Sequence, residues 1–270
     1  MLFIKPLRML MLCVAMLFIA ISCDKTSNAP ELEAITIQTA TIDGFTVELL
    51  SDQALVSGCN QLYWRVTSGG DLVDIQSFTI APSMTMTMMG HSHATPYSQP
   101  TEMAEYDKVL TNMAVFIMPS GDMGYWEIAF DIQTASNETI SGSMQIEVAS
   151  SWRLTSVKST DGSTTYFVTW YAPQEPATGN QELSFMVHKR ESMMSFPPVN
   201  SAELVVYPYM DMGGGSGHST PFEAPVAMGE GMYTGSINYS MSGTWTTDIT
   251  LQIEGESLTV PTFEYSVQAR

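Results

Sequence analysis

Two stretches of the chain hold residues whose types and spacing could bind a soft metal ion. One reads Met84-Thr-Met-Thr-Met-Met-Gly-His-Ser-His93, the other Met210-Asp-Met-Gly-Gly-Gly-Ser-Gly-His218. Thioether sulfur favours Cu(I), and imidazole binds either copper state, so clustered Met with His points to copper chemistry. Methionine also cannot be lost to disulfide formation in an oxidising compartment. Each stretch opens into a longer echo, HATPYSQPTEMAE from His93 to Glu105 and HSTPFEAPVAMGE from His218 to Glu230, aligned without a gap and sharing His, Thr, Pro, Pro, Met and Glu. The chain is therefore read as a tandem repeat with one candidate site per copy.

The repeated pairs His93 with Met103 and His218 with Met228 are the leading candidate ligands, and His91 lies two residues before His93. Met86, Met88, Met210 and Met212 would add thioethers from the strand that precedes each histidine, since alternate strand residues share a face. Met84 and Met210 taken alone read as core, because alternating Met and Thr also describes a half-buried strand. Met88, Met89, Gly90, His91 and His93 are expected to leave the sheet. The repeated Glu105 and Glu230 could orient the imidazole through its other ring nitrogen. His188, in Val-His-Lys-Arg, has no counterpart and reads as a surface residue. No nucleophile elbow, phosphate loop or Cys-x-x-Cys occurs, and four histidines with scattered acids form no acid/base pair, so no catalysis is expected.

The elements that must hold these residues are strands. From Ala34 onward, short apolar/polar alternations are separated by Gly, Pro, Asn and Ser, and nothing longer than a turn reads as helix. Strands are expected near Ile35 to Ile42, Phe45 to Leu50, Gln61 to Thr67, Gln76 to Met88, Asn112 to Met118, Tyr125 to Gln133 and Ser141 to Val148. The second copy repeats the order from Tyr166 to Val267. This is an all-β chain of two sandwiches, 34–150 and 151–270, each with buried Trp. Trp152 and Leu154, at the boundary, could pack against either.

The order Gly58-Cys-Asn-Gln-Leu62 at a strand start, a Met-x-Met strand, His followed by Pro, and Gly124-Tyr-Trp126 recurs as Gly179-Asn-Gln-Glu-Leu183, Met210-Asp-Met212, His218 and Gly243-Thr-Trp245. It resembles the YtkA-like, FixH-related immunoglobulin-type domains of bacterial envelope proteins. Gly231-Met-Tyr233 fits that pattern, while the first copy departs from it with Tyr106-Asp-Lys108. The resemblance implies an immunoglobulin-like sandwich in each copy and a link to copper.

The N-terminus reads as an export signal, with Lys5 and Arg8 before an apolar run from Met9 to Ile21. Ala20-Ile21-Ser22 before Cys23 resembles the lipobox of bacterial lipoproteins, which implies a signal over 1–22, a diacylglycerol on the Cys23 thiol and a tether over 23–33. Lipidated Cys23 would hold the protein to a membrane of the bacterial cell envelope, on its periplasmic or outer face. Cys59 then stands alone, a small filler whose counterpart is Asn180. The formal charge of −18, from 28 acidic and 10 basic residues, argues against nucleic acid as a partner. Methionine is the outlier: of 21, only Met1, Met9, Met11 and Met16 fall in the leader. The leading reading is a lipid-anchored module that captures copper or hands it to an envelope copper protein. The alternative is a non-catalytic structural or interaction module whose Met-rich loops form an adaptable contact surface.

Overall fold

Alternation of apolar and polar residues, interrupted by Gly and Pro, leaves the backbone to satisfy its N–H and C=O groups by pairing between strands. The computed structural model describes residues 32–270; the leader, Cys23 and the tether as far as residue 31 lie outside the described residues. The first half contains β1 (Ile35–Ile42), β2 (Phe45–Ser51), β3 (Gly58–Ser68), β4 (Asp71–Leu72), β5 (Ile75–Met86), β6 (His91–His93), β7 (Thr101–Glu102), β8 (Leu110–Phe116), β9 (Gly124–Thr134) and β10 (Thr139–Ile146). The second contains β11 (Leu154–Lys158), β12 (Thr165–Ala172), β13 (Gly179–Arg190), β14 (Glu203–Gly213), β15 (Ser216–His218), β16 (Phe222–Gly229), β17 (Met232–Tyr239), β18 (Gly243–Ile253) and β19 (Glu256–Val267).

In the first half the sheet β1-β2-β3-β8-β7, with β4 on β3, packs against β10-β9-β5-β6. In the second, β11-β12-β13-β17-β16 packs against β15-β14-β18-β19. Every assigned ladder is antiparallel. Trp64, Trp126, Phe116 and Phe130 anchor one core; Trp170, Trp245, Phe185 and Phe263 anchor the other. Trp152 joins the second core, stacked on Tyr265 at 5.2 Å between ring centroids.

The sandwiches meet through the outer faces of β3 and β8 on one side and of β12, β13 and β17 on the other. Cys59, Val115 and Met186 are buried there, with Met113, Leu154, Tyr171 and Met232 around them. A second contact joins Ala94 to Phe167 and Phe196, and the Ala94 N–H donates to the Met193 carbonyl at 2.8 Å.

The main sheet strands lie where the sequence pattern puts them, but the histidines do not leave the sheet. β5 turns at Thr87 to Gly90 and comes back as β6, so that Met84 faces His93 and Met86 faces His91. Gly90, at φ +66°, supplies the left-handed residue that the turn needs. In the second half Gly213, Gly214 and Gly215 do the same work, with φ of 82°, 63° and 78°, and Met210 faces His218.

β6 covers only the last turn of β5, which leaves the rest of that edge unpaired. Gln99 closes it in the first sandwich: the Ile80 N–H donates to its Oε1 at 2.8 Å, and its Nε2 donates to the Ile80 carbonyl at 3.1 Å. Pro82, two residues on, turns the same way and has no N–H to offer. In the second sandwich Pro208 holds the place of Pro82, two residues before the methionine, but Ala224 stands where the echo has Gln99. Gln99→Ala should therefore lower stability by about 1–2 kcal/mol, read as a lower urea midpoint at unchanged slope. An unchanged midpoint would mean that water serves that edge equally well.

Candidate functional site

The same trio closes one end of each sandwich. Met84 and Met210 lie opposite His93 and His218 across an antiparallel ladder, and opposed side chains share a face of the sheet. Each imidazole stands edge-on to a buried indole: His93 to Trp126 at 5.4 Å and 86°, His218 to Trp245 at 5.4 Å and 87°. Each Nδ1 lies 2.8 Å from a carbonyl, that of Ala94 or Ser219. That contact places the ring proton on Nδ1 and leaves the lone pair on Nε2. The hydroxyls of Thr95 and Thr220 tie the following residues to the carbonyls of Val115 and Asn238.

The expected pairing of each histidine with the later methionine does not form. After His93 the chain runs back along β8, from the Pro96 carbonyl on Val115 to the Met103 N–H on Val109. After His218 it runs along β17, from the Pro221 carbonyl on Asn238 to Gly229 opposite Met232. Six strand residues span roughly 20 Å, so Met103 and Glu105, like Met228 and Glu230, stand at the far end of the sandwich from their histidine. Met103 packs with Leu50, Tyr63 and Val109, while Met228 is 67% exposed. Glu230 is a turn residue at φ +50° beside the other sandwich. The repeated Pro and Met positions thus describe a return strand rather than a ligand loop.

Around His93 the remaining candidates divide. Met84 is wholly buried and Met86 nearly so, both within the core, whereas Met88 and Met89 are exposed in the turn. Met86, Met89, His91, His93 and Met118 then line a cleft of about 530 Å³ between the sandwiches, whose other wall includes Met193, Phe196 and Arg190. The His93 Nε2 is buried there without a hydrogen-bond partner. Burial lowers the His93 pKa, helped by the charges of His91 and Arg190 and opposed by the Ala94 carbonyl. Met118 and Met193 lie outside the repeated stretch, so sequence reasoning passed over both; only the packing of the two halves brings them here. Among the described residues the second copy has no such wall: His218 and Met210 are half-buried and Met212 is exposed. Among the described residues no three His, Cys, Asp or Glu side chains converge as a metal site, so any ion held here rests on sulfur.

His188 is not on the surface. It is 6% exposed and its Nδ1 has no partner, because the outer face of β13 is covered by the first sandwich. Burial alone pushes its pKa down to about 4. Cys59 fills the same contact, where burial drives its thiol up to about 12 against the opposing charge of Arg153. It is packing, not a nucleophile.

The fold and these paired ends define a protein of two immunoglobulin-like β-sandwiches, each with a Met/His pair between a short edge strand and its neighbour. Residues 160–250, within the second sandwich, match the model of the family described as YtkA-like. No curated protein matches the chain. Among solved structures it is similar to the Escherichia coli adhesin FdeC, at 12% identity and TM-score 0.26 over 85% of this chain and 65% of that one, less than two thirds of the adhesin's length. It is also similar to domains 5–6 of the S-layer protein SbsC, at 9% identity and TM-score 0.30 over 87% and 98% of the two chains. A conserved domain protein from Bacillus anthracis is similar at 10% identity and TM-score 0.27, over 87% and 91%.

A histidine buried neutral binds its proton more weakly folded than unfolded, so its contribution to stability is full above the unfolded pKa and declines as pH falls towards the folded one. For His188 the window runs from 6.5 down to about 4, a loss of about 3 kcal/mol over its whole width; His93 acts in the same direction. Urea unfolding between pH 7 and 5 should show stability falling with pH in the wild type and falling less steeply in His188→Gln. Parallel slopes would show that the ring titrates normally.

Proposed function

We propose that the chain is a non-catalytic binding module of the bacterial cell envelope, held to a membrane by lipidated Cys23, that takes up Cu(I) at the Met/His cleft beside His93. The reading rests on the Nε2 of His93, a buried lone pair with no donor, in a cleft lined by thioethers from both halves of the chain. Met86 and Met193 would complete the donor set with it, and Met89 and His91, at the mouth, would pass the ion inward. Arg190 and Lys158 line the opposite wall. They disfavour hard divalent ions, which depend on charge and carboxylate oxygen, more than a monovalent ion held by soft donors. His218 with Met210 is an open version of the same pair and would bind more weakly.

A second reading follows from the unplugged side of the second sandwich. Val205, Tyr207, Phe222, Val226 and Met228 are exposed along β14 and β16, at 44%, 52%, 36%, 60% and 67%, a surface suited to a protein partner. Titration of the full-length chain with Cu(I), in competition with a colorimetric chelator, separates the two. Copper capture predicts that His93→Ala with Met86→Leu removes one ion per chain from the stoichiometry, and that Zn(II) and Ca(II) do not compete. If the variant binds as many ions as the wild type with equal affinity, the cleft is not the site and the interaction reading takes its place.

A further inference from the structure

Sequence reasoning set His188 aside, yet its surroundings are those of a ligand. Met186 and His188 alternate on β13 and so project from the same outer face of its sheet. Met113 projects from the outer face of β8 opposite them, and a cavity of about 200 Å³ remains between the two, walled by Tyr97, Phe196 and Pro198. The imidazole is buried with its Nδ1 unpartnered. Leaving such a group unmet costs about 1–3 kcal/mol, and native proteins rarely tolerate it. A water molecule would need two to four polar partners, and in these mostly apolar walls only Tyr97, Ser98 and Glu230 bring further polar side chains. Two thioethers and a neutral imidazole are instead a donor set for a soft monovalent ion.

We propose that Met113, Met186 and His188 form a separate Cu(I) site at the contact between the two sandwiches, with one ligand from the first and two from the second, so that the bound ion clasps the halves together. The site shares no proposed ligand with the cleft beside His93, although Phe196 lines both, and it stands or falls independently of it. All three donors are neutral, so binding releases no proton at neutral pH and leaves a single positive charge, with the Glu230 carboxylate also at the cavity.

The test uses the full-length chain and Ag(I), an air-stable ion of the same softness, alongside Cu(I). Met113→Leu with Met186→Leu deletes both sulfurs while nearly conserving volume. The wild type should gain thermal stability on saturation with Ag(I), and the ring nitrogens of His188 should shift in the NMR spectrum. The double Leu variant should bind one ion fewer, lose that His188 shift and lose at least half of the gain in melting temperature. His93→Ala with Met86→Leu should retain the His188 shift. An unmoved His188 signal in the saturated wild type, or equal stoichiometry in wild type and double Leu variant, overturns this site without touching the cleft. Loss of ions only with the His93 variant does the same.

Discussion

Each sandwich is closed at one end by an imidazole ring standing edge-on against a buried indole, with a methionine directly across the ladder from it. Three strands must be in register for this contact to form: the long strand carrying the methionine, the short returning strand carrying the histidine, and the strand that starts with Gly-x-Trp. Gly124 and Gly243 stand where that third strand begins, and a side chain at either would press on the methyl group of Met84 or Met210. The indole N–H reaches a methionine carbonyl in both copies, Met118 at 2.9 Å and Met241 at 3.0 Å. The residues that look like metal ligands in the sequence are thus first of all the stopper of a hydrophobic core. Any ion-binding role is added to that packing role.

The two copies use the stopper differently because only one of them is covered. The second sandwich lies over the end of the first, removes His93 from water and brings Met193 and Phe196 against it. Its own stopper, at His218, has no such neighbour among the described residues and stays half-buried. Equal local sequence therefore yields unequal burial: the contact that encloses His93 lowers its proton affinity and also traps His188 and Cys59.

Much of the fold was legible from alternation alone, because a strand with one face on a core must alternate. The main sheet strands, the four Trp anchors and the sandwich class follow from it. The short elements β4, β6, β7, β11, β15 and β16 were not legible. They are edge strands of a few residues or interrupted by bulges, and the pairing of β6 and β15 depends on tight turns through Gly90 and Gly213 to Gly215 rather than on any hydrophobic period. Reading the echo as a ligand loop failed for the same reason. Met103 packs against Leu50, Tyr63 and Val109 while Met228 is exposed, so identity between copies distinguishes neither packing nor coordination. His188 and Met193 were out of reach, since a residue facing away from its own core looks exposed until a second domain is laid on it.

Pro82 and Pro208 carry one more consequence. Each interrupts the row of donors on the open flank of its sheet, so a foreign strand laid alongside would meet a missing rung. Neighbouring molecules are thereby discouraged from zipping together along that flank, and in the second sandwich, where Ala224 replaces the glutamine, Pro208 supplies this guard without the plug.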